Sequence, residues 1–311
     1  MIAAFESLLP IFALILLGFA LRWKEIVAAD MWRGVELLGY WVFFPALLSN
    51  TLIRADLQSL PISGITITMV LSYLSMASGI LLARRQIMAR FGLGGPGFSS
   101  VFQNSTRWNG FIALPILQKL YGETGVALVA VVMGALVPLA NFAAVYVVSQ
   151  NAGGRKLTTA ETLFVVFRNP FIWATAIGLA VNFSGIAVYE PLMSTLDLLG
   201  GAAVAAGLLM VGAGLRVEEA VKPSPAIMLG TGLKLFATPV LVMVWSLATG
   251  LDGVAFVACM TCAAVPTAMS AYVMAKQMGG DAALVASTVT VQTAVSFLSI
   301  PLFITLAEWL R

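Results

Sequence analysis

Ten residues set polar or backbone-disturbing chemistry inside apolar surroundings: Asn104, Arg107, Asn109, Gly110 and Pro115 in NSTRWNGFIALPILQK, and Asn141, Lys234, Pro266, Thr267 and Gln292 further on. Proline inside a helix removes a backbone donor and clashes with the preceding turn, and glycine weakens a helix as well. In hydrocarbon the freed N–H and C=O groups survive only where they line a protein-enclosed or wet cavity. Arg107 beside such a break can attract an anion together with a half-helix N-terminus, or it can cap loose carbonyls and extend toward the interface. Lys234, about ten residues from either end of its apolar run, can bind a carboxylate or exchange a proton, or it can donate to carbonyls of a neighbouring broken helix. Asn104, Asn109, Thr267, Asn141 and Gln292 offer hydrogen bonds that serve either as substrate contacts or as links between helices.

The elements that hold these residues are membrane spans. Of 311 residues, 60% are hydrophobic and only 10% charged, against about a quarter charged in a soluble domain. With a span needing roughly 20 apolar residues, the sequence predicts ten: near 4–22, 34–53, 62–83, 99–120, 125–149, 163–183, 191–214, 225–248, 253–277 and 282–307. Almost no chain remains for a soluble domain. The first run lacks a basic segment before its apolar core and carries Arg22 and Lys24 after it, so it reads as a span rather than a cleaved signal.

Basic residues segregate by side. Connections after spans 1, 3, 5, 7 and 9 hold Arg22, Lys24, Arg33, Arg84, Arg85, Arg90, Arg155, Lys156, Arg216, Lys222 and Lys276, whereas the other side holds Arg54, Lys119 and Arg311. The positive-inside rule then places both termini outside the cytoplasm, and nucleic-acid binding has no support left.

The polar connection SQNAGGRKLTTAE divides the chain into 1–150 and 161–311, with a cytoplasmic loop at 151–160 and five spans on each side. An odd number of spans gives the halves opposite orientation, the inverted-repeat pattern of secondary transporters. ELLGYWVFFPALL of span 2 parallels DLLGGAAVAAGLL of span 7. NGFIALPILQKLYGETG parallels PTAMSAYVMAKQMGGDA when Gly122 is set on Gly279, which places Asn109 opposite Pro266. Spans 4 and 9 are therefore both expected to be interrupted. The Gly- and Ala-rich span 7 is expected to pack closely on another helix.

Enzymatic chemistry finds no footing. Histidine is absent, no Ser–His pair can form, and the sequence contains no GxxxxGK[ST]. Cys259 and Cys262 form CMTC inside an apolar run, two ligands short of a tetrahedral site. They read as packing residues, and neither a metal nor a cofactor is expected. Without a nucleotide motif, transport energy comes from gradients.

TRWNGFIALPILQKLYG and VPTAMSAYVMAKQMGGD, with FFPALL, RNPFIWATAIGLAVN and LKLFATPVL, are similar to the auxin efflux carrier family, the permeases related to PIN carriers and to malate and malonate permeases. The resemblance covers essentially the whole chain. It implies an all-α integral membrane fold of ten transmembrane helices in two inverted five-helix repeats, with helices 4 and 9 crossing at unwound segments around Asn109, Gly110, Pro115 and Pro266. It further implies a scaffold of helices 1, 2, 6 and 7, forming a homodimer, and a transport unit of helices 3–5 and 8–10 that moves as an elevator. Lys234 matches a basic position of relatives, while Trp108, Val265 and Ser270 depart from their pattern. The expectation is an inner-membrane permease of small organic anions, carboxylates above all, set among membrane lipid. The alternatives are a sodium-coupled symporter of the bile acid type and a non-transporting receptor or scaffold.

Overall fold

The computed structural model describes residues 2–28, 30–57, 60–152, 158–217 and 223–310, with the side chains of 2–7, 162, 165 and 166 left aside. The described residues are helical and contain no strand. Helices α1 (Ile2–Trp23), α2 (Met31–Leu38) and α3 (Phe44–Arg54) come first, α2 and α3 being joined by a π-helical turn, Gly39–Phe43. Then follow α4 (Ile62–Leu82), α5 (Arg84–Phe91), α6 (Gly95–Thr106), α7 (Gly110–Asn151), α8 (Thr159–Phe167), α9 (Pro170–Ser184) and α10 (Glu190–Gly214). Beyond the undescribed segment lie α11 (Pro225–Gly232), a second π-helical turn, Leu233–Ala237, α12 (Thr238–Thr249), α13 (Gly253–Ala264), α14 (Ser270–Met278) and α15 (Ala282–Leu310).

Polarity is distributed as a bilayer requires. Leu82, Leu198 and Leu298 are 83%, 80% and 70% exposed, while Asn104, Thr267 and Gln292 are fully buried. Among the described residues six helical stretches are long and apolar enough to cross a membrane, and α9, α13 and the part of α1 from Leu8 on are shorter apolar helices. The protein is a multi-pass membrane protein.

Several expected spans are not continuous rods. Gly95–Asn151 covers 57 residues, about 85 Å if it were one straight helix, far beyond a bilayer core of about 30 Å. The chain turns at Gly122, whose φ of 59° and ψ of −141° no ordinary helical residue adopts. Gly279 ends α14 at φ 80° in the matching place. The expected span 163–183 is two pieces, because Pro170 starts α9 and the Asn169 side chain caps it by accepting from Phe171 N–H at 2.9 Å. The basic helix α5 was not expected. The 151–160 connection lies partly outside the described residues.

Each π-helical turn is followed by a proline, Pro45 and Pro239. Widening the helix there moves the carbonyl that proline cannot serve, and Leu233 O accepts the Thr238 N–H instead. The Thr238 hydroxyl adds a 3.0 Å bond to the same carbonyl.

Helix α1 runs along α10, and α3 lies against both α9 and α10. Small residues permit this: a Cβ on Gly18 would meet the Leu209 backbone, and one on Gly212 would meet Ile15 and Phe19. The Gly- and Ala-rich helix thus finds its close partner within the chain. On the other side α12 packs on α4, and α13 lies among α7, α12 and α15.

Candidate functional site

Two interruptions define the site. Helix α6 ends with Arg107 N–H bonded to Gln103 O at 3.0 Å, after which Arg107 turns extended. Asn109 restarts the chain as α7, its side-chain oxygen accepting Phe111 N–H at 3.0 Å. Helix α13 ends at Ala264, Val265 is extended, and Pro266 contributes no N–H, so the chain becomes helical again only at Ser270.

The two interruptions meet, and polar side chains close the exposed backbone. The Thr267 hydroxyl donates to Asn104 O at 2.8 Å, with Arg107 O at 3.4 Å. Thr267 N–H donates to the Gln292 side-chain oxygen at 2.8 Å. The Gln292 amide nitrogen in turn donates to Asn104 O at 2.8 Å and Gly230 O at 3.1 Å. One glutamine from α15 therefore ties α6, α11 and the second break together. Lys234, on the π-helical turn, donates to Ala263 O at 2.7 Å, a carbonyl left open by the end of α13.

Arg107 is bonded differently. Nη2 donates to Asn141 Oδ1 and to Ser270 Oγ, both at 3.0 Å, and Nη1 lies 3.7 Å from the Met274 sulfur. These recorded partners are all neutral. The guanidinium thus bridges the first break, the later part of α7 and the first turns of α14, with no carboxylate paired to it among the described residues.

The remaining predicted residues distribute as follows. Gly110 opens α7, and a Cβ there would touch the Met133 side chain at 3.5 Å, an ordinary contact. Pro115 does not belong to the unwound segment: it is buried inside α7, because the Asn109 cap restarts the helix before it. The Asn104 side-chain amide is fully buried and without a hydrogen-bond partner among the described residues. Lys234 and Arg107 are not brought into one cavity. Lys234 lines a small void of about 20 Å³ with Ser72, Tyr73, Thr106, Trp108 and Cys262, about the room one water needs.

Sequence reasoning did not single out Tyr73, Met274, or the ring stack of Phe44 on Phe111, with centroids 3.9 Å apart. Apolar residues on apolar helices carry no local signal. Only their contact with the break marks them. Phe111 could have been suspected from its place two residues after the Asn109 cap.

The family described as membrane transport protein matches residues 155–304, the part that holds the second break. An uncharacterized transporter of Methanothermobacter thermautotrophicus is 27% identical over 314 residues, covering 96% of each chain. Both likenesses are to transport proteins, in keeping with the apolar, exposed surfaces of the helices.

Proposed function

We propose that this chain is a permease of the auxin efflux carrier family, a reading supported by its likeness to transporters, and that it is a secondary carrier of small organic anions, carboxylates above all. The observation that carries this reading is the Arg107 guanidinium, held where two broken helices meet and bonded only to Asn141, Ser270 and Met274 among its recorded partners. A carboxylate there would gain charge-assisted bonds and the favourable ends of the α7 and α14 dipoles. Asn104, with its unbonded buried amide, and Gly110, which leaves the backbone approachable, would complete the contacts. Asn109, Thr267, Gln292 and Lys234 would shape the site by holding the backbone open, and Pro266 by withholding a donor.

The mechanism in this reading is elevator-type alternating access by ten spans in two inverted repeats, 1–150 and 161–311. Packing of α1, α3, α9 and α10 on one another supports a scaffold of spans 1, 2, 6 and 7. The Phe44–Phe111 stack supports a sliding contact, since parallel rings can shift without breaking hydrogen bonds. The reading includes an inner-membrane homodimer whose termini lie outside the cytoplasm.

The test is thermal stabilisation of the purified protein by mono- and dicarboxylates, each in sodium or potassium, followed by uptake of any binder into proteoliposomes. Arg107→Gln should weaken binding about 10- to 100-fold, the value of a hydrogen bond to a charged group. A sodium requirement would favour the bile-acid-type symporter. Silence of every anion in both assays would overturn the carrier reading in favour of a receptor or scaffold.

A further inference from the structure

A second cavity, of about 230 Å³, lies between α3, α10 and the segment of α7 around Gly122. Its charge is opposite to that of the crossing. Asp197 and Glu123 line it, and Glu190 stands 4.0 Å from Arg54, which pairs with Asp197 at 2.7 Å. Two carboxylates line the cavity, Glu123 and Asp197, and Arg54 pairs with the second of them.

The polar groups are held in place. Asn50 donates to one Asp197 oxygen and accepts from Arg54 Nε at 3.2 Å, so the carboxylate is fixed in orientation. Each carboxylate oxygen has a further lone pair to offer. Thr51, on the same wall, is only 5% exposed, and its hydroxyl has no hydrogen-bond partner among the described residues. Thr51 lines the cavity from this otherwise buried position, and its hydroxyl can accept from a donor there.

The wall chemistry selects among cations. No group of three or more His, Cys, Asp or Glu suited to a metal exists among the described residues, and the volume far exceeds a bare ion. Among the described residues no aromatic side chain lines the cavity, and without an aromatic cage the wall does not favour quaternary ammonium. Acceptors from Glu123, Asp197 and Thr51 suit the three donors of a primary ammonium, and Leu47, Val126 and Val204 suit a short alkyl body.

We propose that this cavity is a second ligand site, separate from the anion site, and that it takes a small primary organic ammonium. Bound there, the ligand would bridge α3 and α10 to α7. The proposal does not depend on the identity of the anion or on transport.

Calorimetric titration of the full chain in nanodiscs with n-butylammonium chloride, at constant ionic strength, tests it. Saturable binding is expected, with none for butan-1-ol at equal concentration and much weaker binding of tetramethylammonium. Glu123→Gln should weaken butylammonium about tenfold. Gly201→Leu should abolish it, because a Cβ on Gly201 meets nothing within 4 Å and the side chain would occupy the cavity. Both variants should keep the wild-type response to a carboxylate at the crossing. Absence of saturable binding, equal binding of tetramethylammonium or butan-1-ol, or wild-type affinity in Glu123→Gln and Gly201→Leu would each overturn the proposal. Should Gly201→Leu not fold, Glu123→Gln decides alone.

Discussion

Replacing Gln292 with methionine keeps the length of the side chain and removes three hydrogen bonds at the crossing. The largest loss is at Thr267 N–H, a buried donor with Gln292 as its recorded acceptor at 2.8 Å. Leaving such a donor unpaired costs about 1–3 kcal/mol. The other two losses are smaller, because Asn104 O retains the Thr267 hydroxyl and Gly230 O retains its bond from Leu233 N–H. Each then counts at about 0.6 kcal/mol, the mean for interhelical bonds in a membrane protein. Gln292→Met should therefore destabilise by about 2–4 kcal/mol. Thr267→Val provides the comparison. It removes the hydroxyl but keeps the N–H bonded, and Asn104 O keeps Gln292, so about 0.5–1.5 kcal/mol is expected. Equilibrium unfolding in mixed detergent micelles measures both, and the double variant should show coupling because the residues share one network. If Gln292→Met proves no more costly than Thr267→Val, the account of a crossing held by one glutamine is wrong.

Asn109→Ala removes the cap of α7 and should cost about 1 kcal/mol, most of it restored by Asn109→Ser, in the same unfolding assay. Gly212→Ala places a methyl group on the Ile15 carbonyl and should lower stability by at least about 1–3 kcal/mol. Gly201→Ala, which meets nothing within 4 Å, should be silent, and equal melting temperatures for the two would contradict the close α1–α10 approach. Lys234→Met trades the cost of an intramembrane ammonium, about 2.5–3.5 kcal/mol, for a charged hydrogen bond worth about 1.5–3 kcal/mol. Its stability should lie within about 1 kcal/mol of wild type, and a much larger loss would mean that Lys234 does more than cap Ala263.

Composition and periodicity settled that this chain lives in a membrane. With so few charges, its apolar runs have no stable place in water, and Arg107, Asn109 and Pro266 signal broken helices because their cost in hydrocarbon is large and local. The Gly122 and Gly279 turns were legible for the same reason, since backbone conformation at a glycine is a local property. The extent of each break was not. Pro115 reads in the sequence as part of the interruption, yet one side-chain cap two residues ahead of Phe111 restarts the helix before it. The Asn169–Pro170 start of α9 carries a local signal, a capping residue ahead of a proline after Arg168, yet the expected span 163–183 ran through it.

Apart from local caps such as Asn109, what the polar residues of the crossing do was decided by tertiary structure. A buried donor takes whatever acceptor packing brings within about 3 Å, and that acceptor belongs to a helix far away in sequence. So Gln292 reaches α6 and α11, Lys234 reaches the end of α13, and Arg107 is left with neutral partners. The acidic cavity is of the same kind. Asn50, Glu123 and Asp197 lie on three separate helices, and nothing in their spacing announces that they share a wall.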